Sequence, residues 1–484
     1  MNSTSGKTPL IAESTYPIKI LQFGEGNFLR AFIGEVVHRL NQQTDFNGGI
    51  AVVQPIEKGL IAALNEQGGG YTLFLNGIQE GKEIQEKIRI ENIVKTNNPY
   101  QDFTSFLELA QLPGLEFIFS NTTEAGIAFN PKDQFEDRPP QSYPAKLTRW
   151  LWERYSYFEG NTAAGLYIIP CELINYNATT LKKILFQYIE LWNLEEPFKA
   201  WIENAITFCN SLVDRIVPGY PKENLAFYED QLDYKDNLLV TAEPFFLWVI
   251  EGDLALEDKL GGAQIGLDIK IVKDLQGYRT QKVRILNGAH TALVPLSILY
   301  GHQTVSDIFT APFTKSFLEE AVRNEIAPTL AMDKDSLRQF TEAVFDRFNN
   351  PFIKHYLASI ALNSISKFKV RVLPSVLAFQ EKQGQLPPHL VFSFACLLRF
   401  YKGNWKGAQL PVQDDKNTVE ALEKLWATCT TTALVTRVLT EQAYWDQDLT
   451  LIPNLADQLG YILDLLDSED IESAFNLYLS NYEL

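Results

Sequence analysis

The chain has 484 residues, 46% of them hydrophobic and 12% aromatic, which is too long for one ordinary core and excludes a disordered or fibrous protein. A formal charge of −18 argues against nucleic-acid or acidic-membrane partners, because those proteins gather Lys and Arg to neutralise phosphates. Cys171, Cys209, Cys396 and Cys429 stand far apart without CxxC spacing, so free thiols in a reducing compartment are expected rather than a zinc knuckle or a disulfide framework.

The segment from Met1 to Pro17 is polar and lacks the apolar stretch of a secretory signal. No run approaches about 18 uncharged apolar residues, so the expected location is the cytoplasm. Ile18 to Phe23 is a short apolar strand that runs into Gly24-Glu-Gly26-Asn-Phe-Leu-Arg30, and a helical pattern follows through Ala31, Phe32, Val36, Val37 and Leu40. Strand, glycine turn and helix open a dinucleotide-binding βαβ unit, with Ile50 to Gln54 as its second strand. Leu115 to Ser120 and Gly165 to Pro170 are two further buried strands, separated by a helix over Tyr143 to Tyr157. Beyond Gly277 helical spacing dominates, over 279–300, 313–324, 336–348, 353–366, 388–401, 417–441 and 454–480, with a surface loop at 402–417. The expected architecture is α/β: a Rossmann-type domain over 1–276 and a mainly helical domain over 277–484.

The glycine turn departs from GxGxxG, because Leu29 stands where the third glycine belongs. Gly24 permits the tight turn and Gly26 lets a pyrophosphate approach the backbone. Where Asp or Glu would hold a ribose hydroxyl, the second strand ends in Gln54-Pro55, so charge at that position does not choose between NAD and NADP.

Lys282-Val-Arg-Ile-Leu-Asn287-Gly-Ala-His290 sets an amine, a carboxamide and an imidazole along one segment. On an α-helix Asn287 lies about 140° and His290 about 80° around from Lys282, so all three can line one side of a cleft. A lysine among apolar neighbours either reaches solvent or is desolvated toward a pKa useful for proton transfer, and Arg284 would push the same way. Asn177 precedes a helical run from Ala178 to Leu194 and suits either a helix cap or a donor to an oxyanion. Asp214 and Glu243 suit ion pairs as readily as a site. Lys367, Lys369 and Arg371 alternate with Phe368 and Val370; an extended segment would put the three on one face, as a carboxylate-binding patch or as a solvated edge.

These segments resemble the mannitol dehydrogenase family of polyol-specific long-chain dehydrogenases over nearly the whole chain. The likeness rests on Phe23-Gly-x-Gly-Asn-Phe28, Ser120-Asn-Thr-Thr-Glu124-Ala-Gly, Val213-Asp-Arg-Ile216 and Lys282-x-Arg-x-Leu-Asn-x-x-His290. Pro144 to Arg149 and Pro170 to Ile174 resemble the branch acting on keto sugar acids. The resemblance implies Lys282 as general acid in reduction and base in oxidation, Asn177 and Asn287 at the reacting oxygen, and His290 and Asp214 on the substrate. It implies Phe23, Gly24, Gly26, Asn27, Phe28, Gln54 and Val213 beside NAD, no metal, and a small sugar-acid substrate. Two positions depart from polyol-oxidising members: Arg279 replaces a glutamate suited to passing protons to solvent, and Ser359 replaces an arginine eight residues before Lys367. A nucleotide-binding protein without catalysis would need none of the four residues Lys282, Asn177, Asn287 and His290. A metal-dependent isomerase or lyase would need a carboxylate and histidine cluster that the sequence lacks.

Overall fold

The computed structural model describes residues 7–123 and 125–482, so Glu124 and the first six residues of the polar N-terminal segment lie outside the described residues. The chain divides into two compact units, Met1–Asn76 with Glu83–Leu275, and Gly77–Lys82 with Gln276–Leu484.

The first unit is built on six parallel strands: β1 (Ile18–Phe23), β2 (Gly49–Val53), β3 (Ile93–Asn97), β4 (Phe117–Ser120), β5 (Leu166–Pro170) and β6 (Ile206–Phe208). Their spatial order, β3-β2-β1-β4-β5-β6, is the doubly wound dinucleotide-binding order, with its switch point between β1 and β4. Alternate side chains feed two cores. Ile20, Ile50, Val52, Phe117 and Phe119 face one core with Val36, Val37 and Leu40 of helix α2 (Ile33–Gln43). Leu21, Phe23, Ala51, Val53 and Ile118 face the other, with α3 (Tyr143–Tyr157) and α4 (Asn177–Leu191). Burial on both faces explains why these strands are apolar almost throughout.

The helix expected after the glycine turn is broken: α1 (Asn27–Ala31) stops at Phe32, and α2 then begins. The Phe32 ring stacks on Phe28 and Phe246, with centroids 4.9 and 4.2 Å apart, so aromatic packing sets the break. Beyond the main sheet, β7 (Ser211–Asp214) pairs antiparallel with β8 (Leu247–Glu251), which pairs parallel with β9 (Asp268–Val272). A long hairpin, Tyr71–Gln79 and Lys82–Ile90, has no counterpart in the expected elements, and its tip groups with the second unit.

In the second unit, α5 (Gln276–Gln281) leads into a π-helical turn, Lys282–Asn287, and then α6 (Gly288–Tyr300). Helix α7 (Lys334–Phe348), α8 (Ser364–Arg371), α9 (Leu373–Gln383) and α10 (Pro388–Phe400) follow. Every residue from Leu390 to Phe400 is buried, as expected for a helix that is apolar all round, and Ser393 Oγ donates to Ala292 O at 2.5 Å. Several expected segments change. The 353–366 helix shrinks to Leu357–Ile360 before α8 starts, 417–441 and 454–480 each break in two, and the 402–417 loop holds a two-rung hairpin.

Candidate active site

Gly24 has φ +116°, which strains any side chain, and a Cβ there would sit tight against Asn121 O at 3.1 Å and Leu29 Cδ1 at 3.2 Å. Gly26 caps α1, is exposed and has open space where a Cβ would stand, which fits a phosphate approaching the backbone. Arg30 fixes the turn: its Nε donates to Glu25 O at 3.1 Å and its Nη2 to Asn27 Oδ1 at 2.7 Å. At the carboxyl ends of β1, β4 and β5 lies a cavity of about 540 Å³ lined by Phe28, Asn121, Thr123, Ala125, Leu173 and Val213. That is where an open α/β sheet binds its ligand. Buried Glu172, the neighbour of Leu173, accepts from Ser120 Oγ at 3.0 Å and from the Thr122 N–H at 2.9 Å. Asn121 and Thr123 belong to a motif visible in the sequence, but only the sheet order shows that they line this crevice.

Two cofactor positions behave differently from expectation. The Phe23 ring is fully buried against Phe106 and Tyr143, so what this residue can offer a nucleotide is backbone. The Gln54 side chain turns inward, its Nε2 donating to Ile56 O and Glu57 O at 2.9 and 3.0 Å.

Asn177 is the first residue of α4, one position past the expected cap, which falls on Tyr176 at φ 53°. Its amide nitrogen donates to Pro170 O, Glu172 O and Ser211 O, and its Oδ1 accepts from the Ala178 and Ser211 N–H groups at 3.0 and 2.9 Å. With its hydrogen-bonding capacity spent, the carboxamide ties the end of β5 to the start of β7. Asp214, 4% exposed, ends β7, and the neighbouring Arg215 is not committed to it: that guanidinium pairs with Glu35 and donates to Ala31 O and Glu243 O. Glu243 in turn accepts the Ile216 N–H at 2.6 Å.

In the second unit the Lys282–Asn287 segment is a π turn instead of the expected α-helix. Each residue of a π turn rotates through less than 100°, so Asn287, five positions on, swings back toward the Lys282 face. Lys282 and Asn287 are both half-buried, and among the described residues the Asn287 carboxamide takes no hydrogen bond. Arg284 is committed elsewhere, its Nε donating to Ser375 Oγ at 2.6 Å, and burial pushes its pKa down to about 10.

His290 stacks on Phe348 at 3.9 Å and meets the His355 ring edge-on at 5.3 Å. Its Nε2 is shut from solvent and, among the described residues, has no hydrogen-bond partner. Burial first, then the charges of His355, Arg347 and Arg371, hold its pKa well below the usual histidine range, so the ring is neutral at pH 7. His355 and Arg347 escaped the sequence reading; the one available signal was that His355 is among only five histidines.

The Lys367–Arg371 segment is helical, not extended, and this divides the expected basic patch. Lys369 turns away to pair with Asp446 at 3.1 Å. Lys367 and Arg371, four apart, share a face. Lys367 donates to Ile360 O at 2.8 Å, and burial, then Arg371, lowers its pKa against the opposing pull of Asp414. The Arg371 guanidinium is half-buried, its pKa lowered by burial, and among the described residues it has neither a hydrogen bond nor a carboxylate partner. Its backbone carbonyl lies 3.0 Å from where a Cβ on Gly288 would stand, which brings the end of α8 against the start of α6.

A doubly wound sheet with a crevice at its carboxyl ends defines a dinucleotide-binding fold, and relatives make this chain an NAD-dependent oxidoreductase acting on CH–OH groups. The profile of the mannitol dehydrogenase Rossmann domain matches residues 18–260, and that of the mannitol dehydrogenase C-terminal domain matches 274–466. The chain belongs to the mannitol dehydrogenase family. It is 46% identical to the altronate oxidoreductase of Klebsiella pneumoniae (strain 342), over 95% of this chain and 96% of that one. It is 47% identical to the altronate oxidoreductase of Bacillus subtilis (strain 168), over 96% and 95%. In fold it resembles Pseudomonas fluorescens mannitol 2-dehydrogenase, solved as a ternary complex with NAD and D-mannitol, with a TM-score of 0.67 at 19% identity over 98% of this chain and 97% of that one. A substrate-free D-sorbitol dehydrogenase gives a TM-score of 0.80 at 20% identity over 95% of each chain.

Proposed function

We propose that this enzyme reduces tagaturonate to altronate with NADH, reversibly and without a metal ion, in the breakdown of hexuronates. Relatives named altronate oxidoreductase support the substrate, and Arg371 is the observation that carries its chemical class. A half-buried guanidinium without a counter-charge is costly to maintain unless a ligand supplies the missing anion. The carboxylate of a keto sugar acid is such an anion, and Lys367 on the same face adds a second positive charge.

NADH, held at the Gly24–Gly26 turn, would supply the hydride for the keto carbon. Lys282 gives its ammonium proton to the oxygen as negative charge develops there, and the Asn287 amide, open to a ligand, donates a hydrogen bond to that oxygen. His290, neutral and with an uncommitted Nε2, accepts from a substrate hydroxyl, and Asp214 orients another. Asn177 acts one step back, fixing the loop after β5 that carries Glu172 and Leu173. In the reverse direction Lys282, as the free amine, takes the alcohol proton.

Lys282→Ala should fold and bind NADH with normal affinity while turnover with tagaturonate falls by about 10²–10⁴. Near-normal turnover at neutral pH in that variant would remove the lysine from the mechanism.

A further inference from the structure

The position that usually decides between NAD and NADP is vacated in this chain in an unusual way. An Asp or Glu at the end of the second strand ordinarily accepts the hydroxyls of the adenosine ribose. Here that position is Gln54, 2% exposed, whose amide organises the loop that follows it by donating to Ile56 O and Glu57 O.

A carboxylate nevertheless reaches the same corner from another part of the chain. Glu25, between the two glycines of the first turn, is 6% exposed, and its Oε1 accepts the Leu60 N–H at 3.2 Å. The two side chains converge on Gly59: a Cβ built there would overlap Glu25 Oε1 and stand 2.6 Å from Gln54 Cδ and Oε1. Two backbone N–H groups, that of Leu60 and its own, favour the charged form of Glu25. Burial raises the Glu25 pKa, and the one cation that opposes this, Arg30, has its guanidinium engaged with Asn27 Oδ1, Leu238 O and the Glu25 backbone. A cost of this kind is retained where the group has a task.

We propose that Glu25, not a residue at the end of β2, accepts the adenosine ribose hydroxyls and excludes a 2′-phosphate by like-charge repulsion in a poorly solvated corner. The proposal rests on reading the Gly24–Gly26 turn as a dinucleotide site. Glu25→Gln is the informative substitution, because the amide oxygen still accepts the Leu60 N–H and keeps the loop in place while the charge is gone.

The test is the dissociation constants of NADH and NADPH, from nucleotide fluorescence without any keto acid, for wild type, Glu25→Gln and Glu25→Asp. Wild type should bind NADH at least about 100-fold more tightly than NADPH, and Glu25→Gln should shrink that ratio at least about tenfold, chiefly through tighter NADPH binding. Glu25→Asp, which keeps the charge but draws it back, should fall between the two. A ratio unchanged in Glu25→Gln, even with both affinities lowered, would overturn the proposal and leave Glu25 a loop clasp. Wild-type protein that binds neither nucleotide would overturn the dinucleotide reading along with it.

Discussion

Two asparagines and three basic residues with the same apparent standing in the sequence separate once their hydrogen bonds are counted. Asn287 keeps its carboxamide open, whereas Asn177 spends all of it on backbone groups of the first unit. Arg371 lacks a partner among the described residues, whereas Lys369 is paired with Asp446. Arg371→Ala should therefore raise KM for the keto acid about 10- to 100-fold, the value of one or two charge-assisted hydrogen bonds, while NADH affinity holds. Lys369→Ala should leave KM within about twofold, because an exposed ion pair contributes little. Steady-state kinetics on both variants decide this, and a larger effect at Lys369 would reverse the assignment. No sequence pattern distinguishes a committed amide from an open one, since the partners of Asn177 are backbone groups brought in from Pro170 and Ser211.

The π turn carries both Lys282 and Asn287, on which the proposed chemistry rests. An α-helix would spread Lys282 and Asn287 about 140° apart; the wider turn lets residues five apart approach one face as residues four apart do in an α-helix. Gly288 follows at once and permits the close approach of the α8 carboxyl end, whose last residue is Arg371. Gly288→Val should overpack this contact, costing about 1–3 kcal/mol in a urea titration and raising KM for the keto acid more than it lowers kcat. An unchanged KM would detach Arg371 from the backbone position that Gly288 sets.

At this scale much was legible beforehand. Strand β1 and helix α3 fall on their expected residues because their apolar periodicity is decided locally. The π turn was not legible, because its pattern is compatible with an α-helix until α8 and α9 pack against it. The break at Phe32 involves the Phe246 ring, more than 200 positions away, and Lys367 to Arg371 alternates like a strand although Ile365 and Phe368, three apart, are the pair that is buried.

Across the molecule, a formal charge of −18 coexists with a local cationic patch at Lys367 and Arg371, so the proposed anionic substrate would bind against the net field. Burial lowers the pKa of His290, His302 and His355, all in the second unit. The unfolded chain takes up protons at these sites below about pH 6.5, where the native fold resists them. Their contribution to stability is therefore complete above that pH and is lost as the pH falls toward the depressed native values. Buried Glu25 and Glu172, with raised pKa values in the first unit, act with the opposite sign, so the contribution of one histidine is best read as a difference. His290→Phe should lose less of its urea midpoint than wild type between pH 7.5 and pH 5.5, and parallel curves would mean that His290 is not held neutral.

The measurement closest to the central claim is the initial rate of NADH oxidation by the purified wild-type protein with tagaturonate, its isomer fructuronate, and the neutral ketose fructose, each with and without a chelator. The kcat/KM for tagaturonate should exceed those for fructuronate and fructose and be indifferent to the chelator. A preference for fructuronate would make the enzyme a mannonate-forming reductase. Turnover of fructose as fast as of either acid would contradict the role given to Arg371 and, with it, the assignment of a sugar-acid substrate.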